Sequence, residues 1–191
     1  TELNRKINNL GVKYLFIPGN HDSPEVVSHL RKYKNVIVMT KRIYQTNGLT
    51  ILGWLDPAAT SGDRLMPEND KLEAEAGALR AYVEAADVEI DLLAVHNRKL
   101  ATPVPTGIPL VLYGHDHKPA IAEEGGTVLI NAGTTGAAGV RGLGNDTIPY
   151  SVALLRFNLT DGKYQLAAVD QIRVFSLNGK FILERTVMDV R

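Results

Sequence analysis

The chain has 191 residues, 45% of them hydrophobic, enough apolar material for one sizeable core and too much for a disordered chain. Lys plus Arg equals Asp plus Glu at 21 each, so no charge excess points to a dedicated nucleic-acid surface or an anionic membrane. Cysteine is absent, which excludes disulfides and thiolate metal sites and leaves His, Asp, Glu and Asn as the ligands available.

Taken in chain order, "TELNRKINNLG" reads as the last turns of a helix closed by Gly11, a beginning in mid-element. "VKYLFI" (12–17) is a short buried-strand pattern, and the turn at Pro18–Asp22 leads into a helix near Pro24–Tyr33, with Pro24 suited to a first helical turn. "NVIV" follows as a strand. "RIYQT-NG-LTILGW" (42–54) reads as a hairpin, because Asn47-Gly48 supplies a positive-φ turn between two β-rich runs. Residues 55–69 form a loop rich in Pro, Gly, Ser and Asp. A helix over 70–85 places Leu72, Ala76, Leu79 and Val83 on one face, with Asp70 and Glu73 as a capping box.

"IDLLAV" (90–95) and "PLVLY" (109–113) are buried strands that each end close to a histidine. From residue 120 the pattern turns to β: a hairpin about Gly125-Gly126, then "YSVALLRFNL", "KYQLAAVDQIRVFSL" and "KFILERTVMDV", separated by "TDG" and "NGK" turns. One domain over 1–191 is expected, its motif-bearing α/β part at 1–119 and a mostly β part at 120–191. No apolar run approaches 18 residues, so nothing in it reads as a membrane-spanning helix.

Three polar sites share an address in this scheme. Asn20-His21-Asp22 follows one strand, His96 a second, and His115 with His117 a third. Loops at the carboxyl ends of strands line the crevice of an open α/β sheet, so these side chains are expected at one rim as metal or catalytic groups. Each has a plainer reading. Asn20 and Asp22 are ordinary turn formers, His96 could be a satisfied loop histidine, and His29 is a solvated helix residue. The glycine-rich stretch 125–144 lacks the Gly-Lys-Ser/Thr ending of a phosphate-binding loop and reads as a loop after a strand, although Arg141 within it could fork onto a phosphate.

"GNHD" (19–22), "VHN" (95–97) and "GHDH" (114–117), in that order, resemble the last three motifs of the calcineurin-like metallophosphoesterases, and "GLTILGWLDP" (48–57) resembles the strand and turn that follow this family's Asn-His-Asp motif. The resemblance runs to about residue 135. It implies a four-layer α/β/β/α sandwich and a phosphate-ester hydrolase with two divalent transition metal ions, manganese, iron or zinc. Asn20, His96 and His115 would hold the second metal and His117 the first. His21 would act on the scissile phosphate, with Asp22 orienting its ring.

The family's opening Asp-x-His is missing, and the "GD" at 62–63 follows the Asn-His-Asp motif instead of preceding it. The expectation is therefore the C-terminal portion of a longer catalytic domain, lacking its first strands. Such a fragment would hold at most one metal tightly and would associate with itself through an exposed sheet edge. A membrane tether in the missing N-terminal part is compatible with this reading. A rival is a catalytically inactive scaffold on the same fold, used for protein contacts. The reading frame upstream of Thr1 would settle the truncation, by an Asp-x-His and a Gly-Asp within roughly 80 residues, about half a typical domain.

Overall fold

The computed structural model describes residues 2–60, 69–135, 149–175 and 180–188. Its centre is a six-stranded sheet in the order β3-β4-β5-β6-β8-β7. These strands are β3 (Arg42–Thr46), β4 (Leu49–Trp54), β5 (Leu92–Val95), β6 (Leu110–Tyr113), β7 (Ala120–Glu124) and β8 (Thr127–Asn131). Strands β4, β5, β6 and β8 run parallel, and the two edges, β3 and β7, are antiparallel. The β3–β4 turn has positive φ at both Asn47 and Gly48, the mirror-image geometry that the Asn-Gly pair predicts.

The parallel strands read as continuous apolar runs because both of their faces are covered. On one face Leu52, Leu93, Val111 and Leu129 pack against Leu72 and Leu79 of α3 (Asn69–Glu84) and against Leu100. Side chains buried this completely contribute about 1.5–3 kcal/mol each. On the other face Ile51, Leu92, Ala94, Leu110 and Ile130 meet a second β layer through Met39 and Val169. The two layers touch most closely at Gly53, where an added Cβ would lie 2.2 Å from Met39 Cβ.

The second layer has two pieces. One is the parallel pair β1 (Tyr14–Phe16) and β2 (Val36–Val38), covered outside by α1 (Glu2–Asn8) and α2 (Pro24–Leu30) through Ile7, Val27 and Leu30. Pro24 opens α2, as the sequence predicts, and Ser23 caps it, but the helix stops at Leu30 and residues 31–35 turn into β2. The other piece is an antiparallel sheet of β9 (Tyr150–Thr160), β10 (Lys163–Phe175) and β11 (Lys180–Val187), in the order β11-β10-β9. Among the described residues no ladder joins the two pieces. Helix, split β layer, central sheet and helix make the four layers of an α/β/β/α sandwich.

On the outer face of β10, the Asp170 carboxylate is buried between two guanidiniums, Arg156 Nε at 2.8 Å and Arg185 Nε at 2.6 Å. The hydrogen bonds from Arg185 and then Arg156 hold this carboxyl well below the usual carboxylate range, against the opposing effect of burial. A depressed folded-state pKa gives stability that is present above the unfolded value of about 3.9 and is lost as pH falls through the folded value. Asp170→Asn should therefore lower the melting temperature at pH 7, and its difference from the parent should shrink once the pH drops below about 4. Melting curves over that range check it, and an unchanged difference at low pH would contradict it.

Candidate metal centre

The parallel strands deliver their carboxyl ends to one rim. Leu55 and Asp56 follow β4, His96 follows β5, and Gly114-His115 follows β6, while the Gly19–Asp22 turn arrives from β1 in the second layer. Two backbone bonds fasten this rim. Asp56 N–H donates to Pro18 O at 3.1 Å, and Gly114 N–H donates to His96 O at 2.9 Å.

Three of the predicted ligands meet there. His96 Nε2 lies 2.9 Å from Asn20 Oδ1 and 3.2 Å from His115 Nδ1, and the two imidazoles stand edge to face. One proton on His96 Nε2 serves at most one of these contacts well, because Asn20 Oδ1 is an acceptor and His115 Nδ1 is a second ring nitrogen. Burial pushes the His96 imidazole below its ordinary pKa, an effect the Asp56 carboxylate opposes and His115 reinforces. That direction favours the neutral ring, which is the form that binds metals.

The rim is built without slack. An added Cβ on Gly19 would fall 2.5 Å from His96 Nδ1, so the turn backbone lies directly against the ring. His115 and His117 both have positive φ, 78° and 61°. A left-handed conformation costs a residue other than glycine about 1–3 kcal/mol, and such residues gather at functional sites. Asn131 at the end of β8 holds this turn. It is fully buried, and its Nδ2 donates to Asp116 Oδ1 and to Gly114 O, while its Oδ1 accepts from Gly133 N–H at 2.8 Å.

The remaining candidates are placed differently. His21 is exposed on the same turn as Asn20 and makes no hydrogen bond among the described residues. Asp22 Oδ2 accepts from Gly19 N–H at 2.9 Å, so this carboxylate shapes the turn. His117 Nδ1 is buried without a hydrogen-bond partner among the described residues. Arg141 and the Gly62-Asp63 pair lie outside the described residues. His29 stays on α2, its Nε2 3.0 Å from the Tyr33 hydroxyl.

Two contributors receive no role from the motifs alone. Asp56 is fully buried, with Oδ1 accepting from Ala58 N–H at 2.9 Å and Oδ2 without a partner among the described residues. Asn131 looks in the sequence like the last residue of an ordinary strand. In "WLDPAA" the Asp-Pro pair was the available signal, although it reads first as a turn.

No family profile matches the chain, and no curated protein matches it either. Solved structures do resemble it. Vacuolar protein sorting 29 from Cryptosporidium parvum is similar over 97% of this chain and 86% of its own, with 18% identity and a TM-score of 0.43. Wild-type Vps29 from Entamoeba histolytica, complexed with Zn2+, is similar over 97% of this chain and 88% of its own, with 18% identity and a TM-score of 0.41. A putative 5'-nucleotidase from Staphylococcus aureus, in complex with alpha-ketoglutarate, is similar over 100% of this chain and 41% of its own, with 12% identity and a TM-score of 0.44.

Proposed function

We propose that this chain carries the second-metal half of a dinuclear phosphoesterase centre, and that the protein hydrolyses phosphate esters. The observation that carries the reading is the meeting of Asn20 Oδ1, His96 Nε2 and His115 Nδ1 at 2.9 and 3.2 Å, from three separate loops. An amide oxygen and two imidazole nitrogens without thiolate suit manganese, iron or zinc. His117 Nδ1, buried and without a hydrogen-bond partner among the described residues, supports its assignment to the first metal, and Asp56 Oδ2, likewise without one, is a further oxygen at the rim. In the longer parent both ions would be held; this chain keeps one recognisable ligand for the first and holds at most one ion tightly.

A bound divalent ion would supply Lewis acidity toward a phosphoryl oxygen and acidify a water. The chain's own residues do the rest. Asn20 and the neutral His96 present lone pairs, Gly19 and Asn131 fix the turns that carry the ligands, and Asp22 ties the Asn20-His21 turn to the Gly19 amide. His21, exposed at the mouth, donates an imidazole N–H proton to the phosphoryl or leaving oxygen. Arg141 is kept as a second contact to the phosphate.

The test is hydrolysis of nitrophenyl phosphate mono- and diesters by the chain and by the longer parent. The reading expects turnover that a chelator removes, that manganese, zinc or iron restores, and that His96→Ala abolishes. Turnover equal in the chelated protein, or none in the metal-loaded parent, would overturn it and leave the rival, a scaffold for protein contacts.

A further inference from the structure

Among the described residues the β9–β11 sheet has two open edges, β9 and β11, and of these β11 is exposed along its whole length. In the sheet ordered β11-β10-β9, β11 pairs with β10 alone. Every residue from Lys180 to Val187 is exposed, and the exposure includes large apolar groups: Phe181 at 66%, Ile182 at 47% and Leu183 at 54%. An edge strand offers a row of unpaired amides and carbonyls to any strand that can match it, and proteins usually guard such edges with charged side chains, proline, bulges or cover; β11 carries Lys180, Glu184 and Arg185. β11 has no proline, and the one register shift in its sheet lies between β9 and β10, away from this edge.

The sequence of β11 matches itself. In an antiparallel pair, residues directly opposite share a face of the sheet. Centred on Ile182, two copies of "KFILERTV" set Ile182 against itself, Phe181 against the partner's Leu183, and Lys180 against the partner's Glu184. Phe181 and Leu183 then meet on one face, while the Ile182 pair and the two Lys180–Glu184 pairs share the other, where Glu184 also accepts from Arg173 of its own chain at 2.5 Å. Shifting the centre to Leu183 puts Phe181 opposite the partner's Arg185 and Ile182 opposite the partner's Glu184. Shifting it to Glu184 sets two carboxylates against each other, which is destabilising. The chain's zero net charge adds no long-range repulsion between copies.

We propose that two copies of this chain associate through β11, antiparallel about a two-fold axis at Ile182, extending the β9–β11 sheet across the dyad. The contact is isologous and closes on itself, so it stops at a dimer. It involves none of the residues Asn20, His96 and His115.

Sedimentation of the full chain over a range of concentrations tests this, with circular dichroism to confirm that each variant is folded. The chain should show a reversible monomer–dimer equilibrium. Lys180→Glu, which faces two pairs of like charges across the dyad, should weaken dimerisation at least tenfold, on the scale of reversed cross-strand pairs. Adding Glu184→Lys to Lys180→Glu should restore it. A chain that is monomeric at every concentration would overturn the proposal, as would a dimer indifferent to Lys180→Glu. A Lys180→Glu defect that the second change fails to repair would overturn the register. An addition of dimer on Phe181→Lys would do the same, since that change should weaken the contact.

Discussion

Gly19→Ala is expected to disable the site without removing a single ligand. The added methyl would lie 2.5 Å from His96 Nδ1 and 2.6 Å from its Cγ and Cε1, well inside van der Waals contact. The ring has little room to retreat, because its Nε2 edge already faces Asn20 Oδ1 and His115 Nδ1. The turn is equally constrained, with Gly19 N–H on Asp22 Oδ2 and Asp22 N–H on Gly19 O at 3.0 Å. One of these must give way, and either movement separates the ligands. Displacing the support of a metal ligand ordinarily costs 10–100-fold in affinity, and about that loss is expected here, with activity falling alongside. Calorimetric metal titration of the folded variant checks it. Unaltered affinity would mean that the Gly19 backbone does not lie against the ring.

His21→Ala is expected to do the opposite, leaving metal affinity intact and cutting turnover by roughly 10²–10⁴, the usual worth of a positioned general acid. The exposed position of His21, beside Asn20 but outside the cluster around His96 Nε2, is the basis for separating the two roles. The measurement compares aryl esters of good and poor leaving groups in the metal-loaded, active form of the protein. A larger deficit on the poor leaving group would mean that His21 protonates the leaving oxygen. An equal deficit would point to stabilisation of the phosphoryl oxygens instead. Asp22→Asn should cost less than His21→Ala, because an amide oxygen can still accept from the Gly19 amide. Loss of metal from His21→Ala would contradict the division of roles.

Much of the fold was legible because its signals are local. The Asn47-Gly48 hairpin, the apolar face of α3 and the unbroken hydrophobic runs of β5 and β6 each follow from neighbours in sequence. The address shared by Asn20, His96 and His115 was legible too, since each follows a strand whose direction the pattern implies. What escaped depends on contacts between distant segments. Asp56 becomes a buried member of the rim only because its amide reaches Pro18 in the other β layer. Gly19 matters through the ring of a residue far along the chain, and Gly53 through the close approach of Met39. Asn131 acts by clamping the turn that carries His115, a role no spacing announces. The bond from the Gly19 amide to the Asp22 carboxylate is likewise not announced by the motif.

The central claim is that Asn20, His96 and His115 together hold one divalent transition metal ion. Titrating manganese and zinc into the metal-stripped chain, beside His96→Ala and a fold-neutral control, His29→Ala, tests it most directly. The account predicts one tight equivalent in the parent chain and in His29→Ala, and none in His96→Ala. A His96→Ala variant that binds as the parent does, or a parent chain that binds no metal, would contradict it.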